Sequence, residues 1–225
     1  MENKVLAFEK GSSPLSRAAE RSLERRREAA LGEVMRLVEA ALRLIRSSGT
    51  IHQPRVSEIV REAGLSNQAF YRHFRSKHEL LVTVLDEGIA LLARTLARRM
   101  NRAQSSEGRI REWLRGLLEQ ALNPDAAEAT RPFVLGQGQL DSAWAEEMAQ
   151  SQRRVTAPLR EVLERAAASG ELPGVVPERD AESLYHLAMG WVQARLIEGG
   201  AASREDARRV EDFAWAGLRR NGAAC

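Results

Sequence analysis

Apolar residues recur at three- and four-residue steps along most of the chain, the period of an amphipathic helix, and no segment reads as a strand. Val34, Leu37, Val38, Ala41, Leu44 and Ile45 draw one stripe on a long first helix, which opens near Leu15 and ends at Ser47, Ser48 and Gly49. Pro54 suits the first turn of a shorter second helix with Val56, Ile59, Val60 and Ala63 on its buried face and Gly64 as its stop. Ser66 can cap a third helix reaching Phe74, and Ser76 a fourth that runs from Lys77 through Leu80, Leu81, Val84, Leu85, Ile89 and Leu92. Further helices are predicted near 107–122, 125–130, 132–152, 155–169, 178–198 and 203–220, separated by breaks such as NPD, SGELPGVVP and EGGAAS. The expected fold class is all-α. Residues 1–14, where charge, Gly and Ser surround Pro14, read as a flexible N-terminal arm.

Composition narrows the function classes. A chain of 225 residues with 44% hydrophobic and 29% charged residues can bury a core of one or two soluble domains. No run of 18 apolar residues occurs, and MENKVLAFEKGSSP lacks the apolar core of a signal peptide, so a cytoplasmic protein with no membrane partner is expected. The single cysteine, Cys225, excludes an internal disulfide framework and a Cys-based zinc site. The four histidines, His52, His73, His78 and His186, show no metal-ligand spacing, and there is no Glu-x-x-His pair or Gly-rich phosphate loop. Neither catalysis, a metal nor a cofactor is therefore expected. Charge is uneven: residues 1–80 carry 15 Lys+Arg against 10 Asp+Glu, the remainder 19 against 21. A basic front suits a polyanion, and it equally suits a solubilising surface.

The stretch GLSNQAFYRHF, residues 64–74, weighs on the side of the polyanion. Two short helices joined by a turn containing Gly, the second carrying polar groups outward, meet the requirement of a helix-turn-helix DNA reader. An ordinary amphipathic hairpin has the same spacing. Phe70 and Phe74, four apart, share one face and can anchor the third helix beside Ile59 and Val60, which turns Asn67, Gln68, Tyr71 and Arg72 away. Side-chain amides near the start of such a helix can bond adenine N6 and N7, while Tyr71, Arg72 and His73 can reach phosphates or groove edges. His73 can as well serve packing.

The run RVSEIVREAGLSNQAFYRHFRSKHELL closely resembles the N-terminal DNA-binding domain of the TetR family of bacterial transcriptional regulators. The resemblance lies in Ile59, Ala63-Gly64-Leu65-Ser66, Tyr71-Arg72-His73-Phe74 and Ser76-Lys77-His78-Glu79-Leu80, and it covers roughly residues 28–85. It implies a three-helix DNA-binding domain over 15–80 and a larger helical domain for effector binding and dimerisation over 81–225. It also implies DNA contacts from Ser66, Asn67, Gln68, Tyr71, Arg72, His73 and Lys77, with Asn67 and Gln68 reading bases and Lys77 gripping a phosphate at a helix N-terminus. The family often has a small residue at the position of Gln68 and Thr or Ser near Pro54. Arg55 and Ser57 are the candidates to replace that missing hydroxyl at the second helix. Arg17, Arg21, Arg25, Arg26 and Arg27 form a basic lead-in that can lie along phosphates or enter a minor groove, although interleaved Glu20, Glu24 and Glu28 favour a solvated face.

In the larger domain the resemblance implies a hydrophobic effector and a homodimer. Trp113, Leu117, Phe133, Trp144, Met148, Tyr185 and Met189 are the candidates to line an effector cavity, each equally able to be plain core, with Arg131, Gln137 and Gln139 as further polar anchors. Leu184, Leu187, Trp191, Val210, Phe213, Ala214 and Gly217, on the last two helices, are the candidates for the dimer interface. The function implied is a ligand-responsive repressor, released from a palindromic double-stranded DNA operator by a small hydrophobic molecule. A DNA-binding architectural protein without a ligand is the alternative, and a catalytic helical bundle a remoter one.

Overall fold

The computed structural model describes residues 14–51, 54–136, 144–199 and 202–220. Among these it contains helices only: α1 Pro14–Ser48, α2 Val56–Glu62, α3 Asn67–His73, α4 Lys77–Met100, α5 Ser106–Leu122, α6 Pro124–Gly136, α7 Trp144–Ala168, α8 Pro177–Glu198 and α9 Arg204–Arg220. The arm expected over 1–14 lies outside the described residues, apart from Pro14, which opens α1. No helix among the described residues is long and apolar enough to cross a membrane.

Two hydrophobic cores organise the chain. The smaller gathers Leu37, Ala41 and Ile45 of α1, Ile59 and Val60 of α2, Phe70 of α3, Phe74 just beyond it, and Leu80, Leu81 and Val84 of α4. The larger is built from α5, α7, α8 and α9, with Leu96 and Met100 supplied by the far end of α4. One helix thus belongs to both cores. Phe133 of α6 reaches across to pack against the smaller one.

Local chemistry sets the joints of the smaller unit. After α2, Gly64 takes φ 64°, and the amides of Gly64 and Leu65 donate to the carbonyls of Arg61 at 3.2 Å and Val60 at 2.8 Å. Those two bonds close the helix end in the left-handed turn that glycine adopts without a Cβ penalty. Two residues later Ser66 accepts the Ala69 amide at 3.1 Å and starts α3. Ser76 accepts the Glu79 amide at 3.2 Å, and the Glu79 carboxylate accepts from the Arg75 amide, so α4 also starts where the sequence places it.

Three expectations are corrected. Pro54 is not in α2: it is buried ahead of the N-terminal residue Arg55, whose amide donates to Glu58 Oε2 at 2.8 Å. The helices expected at 125–130 and from 132 are one helix, α6, with Pro132 inside it, and α7 runs unbroken through 153–154, where a break between 132–152 and 155–169 was expected, with Pro158 inside it. Each proline forgoes one helical hydrogen bond. Pro132 is buried in compensation, and beside Pro158 the Thr156 hydroxyl donates to the carbonyls of Gln152 and Arg153.

Candidate nucleic-acid interface and effector cavity

On α3 the period of the helix separates two jobs. Phe70 and Phe74 are buried with ring centroids 5.7 Å apart, while Asn67, Gln68, Tyr71 and Arg72 are exposed. Tyr71 remains 61% exposed although its ring meets Phe70 edge-on at 5.2 Å. Arg55 and Ser57 on α2 are exposed as well, and Lys77 is half-buried in the first turn of α4. Ser66 faces solvent with its hydroxyl oxygen occupied by the cap of α3.

Arg72 and His73 are held from behind. Glu33, on α1, accepts from Arg72 Nη2 at 2.9 Å, and its Oε2 lies 2.6 Å from His73 Nε2. The hydrogen bond from His73 and the charge of Arg72 hold the Glu33 carboxyl below the usual carboxylate range, against the opposing effect of burial. The His73 side chain is only 10% exposed. Sequence reasoning missed Glu33: it sits 39 and 40 residues from its partners, and no local spacing announces such a contact.

Behind this surface lies a cavity of about 790 Å³. Val38 and Leu42 of α1, Val84, Leu85 and Leu92 of α4, Leu117 of α5, Phe133 of α6 and Met189 of α8 make its walls largely apolar. Thr95, Thr130, Ser151 and Tyr185 add neutral polar groups, Thr130 donating to Gln120 Oε1 at 3.1 Å. Burial raises the Tyr185 hydroxyl above its ordinary pKa. Of the charged lining residues, Arg46, Glu87, Arg94 and Asp125 are exposed, while Arg99 and Glu119 are partly buried and ion-paired, with Glu112 at 3.1 Å and Arg204 at 3.0 Å. An apolar body with neutral hydrogen-bonding groups therefore fits the interior, and any ionic group belongs at the edge. At Gly116 the α4 and α5 helices approach closely: a Cβ there would stand 2.3 Å from Leu96 Cδ2.

Four of the seven residues expected at an effector cavity, Leu117, Phe133, Tyr185 and Met189, do line it. Trp113 does not. It is fully buried in the larger core with Nε1 donating to the Val155 carbonyl at 3.0 Å, because the indole N–H needs an acceptor once desolvated. The side chains of Trp144 and Met148 lie outside the described residues, as do Gln137 and Gln139, and Arg131 is not in the lining. Unforeseen were the walls from α1 and α4.

The sequence model of the tetR family of bacterial regulatory proteins matches residues 37–84, which run from the first buried residue of α1 through the helix-turn-helix into α4. The smaller unit is thus a TetR-family N-terminal domain. Solved structures share its overall fold. FadR from Bacillus subtilis, in complex with stearoyl-CoA, is 14% identical over 85% of this chain and 98% of its own, with a TM-score of 0.65. FadR from Bacillus halodurans, a fatty acid degradation regulator, is 16% identical over 81% and 94%, with a TM-score of 0.67. NemR from E. coli, in its reduced form, is 21% identical over 80% and 95%, with a TM-score of 0.65. Each likeness is one of fold and runs along most of both chains.

Among the residues expected at a dimer interface, Leu184 and Ala214 are buried inside the larger core of a single chain, so they serve its packing, a correction that follows from the inward face of α8 and α9. Leu187, Trp191 and Val210 are partly buried against the same core. Phe213, 71% exposed, and Gly217 face outward on α9.

Proposed function

We propose that this chain is a homodimeric operator-binding repressor, with no catalytic role, released by a small hydrophobic effector. The observation that carries the reading is the placement of the cavity: α1 and α4, which build the core under α3, also wall the cavity. A ligand that fits only one setting of those helices shifts the position of α3, and the shift cannot exceed the ligand's preference for that setting. On this reading residues 15–80 are the DNA-binding unit and 81–225 the effector and dimer unit. Asn67 and Gln68 read base edges, with Tyr71 and Lys77 on the phosphate backbone and Arg55, Ser57, Ser66 and Arg72 at the margin.

The apolar interior and charged edge favour an amphiphile with a long or aromatic apolar body, and the stearoyl-CoA bound by the FadR relative makes acyl thioesters the first class to try. Two-fold pairing through the outward face of α8 and α9, with Phe213 at its centre, gives each reading helix a partner, and a palindromic site follows from that symmetry.

The test is selection of bound sequences from a random double-stranded DNA pool at physiological salt. A palindromic consensus is expected, and acyl thioesters added to the complex should release it. Recovery of unenriched DNA by folded protein excludes an operator reader and leaves non-specific coating. Enrichment with no release by any amphiphile leaves the architectural alternative.

A further inference from the structure

Residues 14–32 of α1 belong to neither core. The first buried side chain of the helix is Leu37, and the family match starts at the same residue. At the α-helical rise this leading segment is about 28 Å long. It is rooted at a defined place, because Glu33, one turn before Leu37, is bonded to Arg72 and His73 at the end of α3. The segment therefore leaves the smaller unit beside the surface that exposes Tyr71 and Arg72.

Its surface chemistry is ordered along the axis. Arg17, Arg21 and Arg25 follow one another at four-residue steps and are exposed, with Glu20, Glu24 and Glu28 in a parallel line beside them. Like charges adjoin at four-residue steps within each line, while Arg17 and Glu20, Arg21 and Glu24, and Arg25 and Glu28 set opposite charges three apart; five arginines against three glutamates leave a basic surplus that suits a polyanion. A protein partner is the poorer fit. The exposed leucines Leu15, Leu23 and Leu31 lie two turns apart, leaving gaps of about 12 Å, too sparse for the apolar seam of a coiled coil.

We propose that residues 14–32 form a phosphate clamp: the arginine line lies along the DNA backbone flanking the half-site read by α3, with the glutamate line, about 60° round the helix, at the edge of the contact. The inference rests on the reading of α3 as a DNA reader. The clamp carries no base information, so it raises affinity for specific and random DNA alike and lengthens the contact on each side of the operator.

The measurement is salt-dependent binding of the full chain and of an Arg17→Ala/Arg21→Ala/Arg25→Ala variant to two duplexes. One carries the selected operator with long flanks, and the other is trimmed to the half-sites. Alanine keeps the segment helical, which circular dichroism checks. On the long duplex the slope of log affinity against log salt should become shallower by about 5, from three arginines on each of two protomers, and the advantage of the long duplex should vanish. Glu20→Gln/Glu24→Gln/Glu28→Gln should instead tighten binding to the long duplex. Identical slopes for the parent and the arginine variant overturn the clamp, as does a change of oligomeric mass in that variant with no change of slope. Either result leaves operator reading intact, whereas failure of the parent chain to select any operator removes both proposals together.

Discussion

The unit around α3 and the unit around α8 use the same helices and residue types but put their working surface on opposite sides. In the first, Leu37, Ile59 and Phe70 close a fully buried core, and the chemistry is what remains outside it. In the second, a cavity of about 790 Å³ stays open where α5, α6 and α8 face α1 and α4, and the chemistry lies within. A filled core fixes an outer surface, whereas an unfilled one keeps two settings of its walls in reach. On the proposed function, the larger unit reports a ligand, and the smaller one holds its side chains still enough to read bases.

The sharpest way to break this comparison is to open the closed core. Phe70→Ala removes a fully buried ring and should cost about 3 to 5 kcal/mol, seen as loss of the first transition in chemical denaturation and of all DNA binding. Retention of operator affinity at parent stability would show that the smaller core does not hold α3. Next in size is the converse change, crowding the open unit. Gly116→Ala sets a methyl 2.3 Å from the fully buried Leu96 side chain. Overpacking of about 1 to 3 kcal/mol, offset by about 1 kcal/mol of helix propensity, leaves a net loss of up to about 2 kcal/mol. Since Gly116 lines the cavity, effector binding should weaken as well, whereas DNA affinity without effector should hold; titration of both ligands distinguishes the two.

How much of this could be read from the chain follows the same division. The surface of α3 was legible because helical periodicity decides it: Phe70 and Phe74 four apart must share a side, and Gly64 with Ser66 fixes where the helix begins. Glu33 was not, since its partners arrive through tertiary packing of α1 on α3. In the larger unit, Leu117, Phe133, Tyr185 and Met189 were assigned to a cavity by residue type, and they line one. Trp113 has the same character and is core. An apolar side chain looks alike whether it meets another side chain or a void, and a void has no letters of its own. For the same reason Val38, Leu42 and Val84 read simply as the stripes of α1 and α4. Pro132 misled because local propensity starts a new helix there and tertiary packing overrides it.

Smaller effects sharpen the outer surface. Gln68→Ala should relax discrimination at one base pair by about 1 to 3 kcal/mol, and Lys77→Ala should weaken binding evenly across sequences while flattening the salt dependence. Equal losses on operator and random duplex for Gln68→Ala would remove it from the readers. On the larger unit, Phe213→Asp should shift the chain toward monomer in sedimentation and lower operator affinity, without altering the affinity of an isolated half-site.

The smallest predicted effect contrasts one carboxylate from each unit. Glu33 has a lowered folded-state pKa, chiefly through the His73 hydrogen bond, so its contribution to stability is present above its ordinary value of 4.5 and is lost as pH falls through the lowered one. Glu211 on α9 is 4% exposed, and burial raises its pKa despite the Arg115 guanidinium at 2.9 Å. Its sign is opposite: the favourable term is present below 4.5 and is lost as pH rises through the raised folded value. Replacing each by its neutral isostere should therefore move stability in opposite directions at pH 7. Glu33→Gln should destabilise the smaller unit and remove part of its loss in acid. Glu211→Gln keeps an oxygen for Arg115 without a buried charge, so it should leave the larger unit as stable or more so, and flatten its decline between mildly acidic and neutral pH. Thermal unfolding of both variants and the parent at pH 4 and pH 7 reads the contrast. Destabilisation of Glu211→Gln at pH 7 would mean that the Arg115 ion pair outweighs desolvation, making the two carboxylates alike in sign.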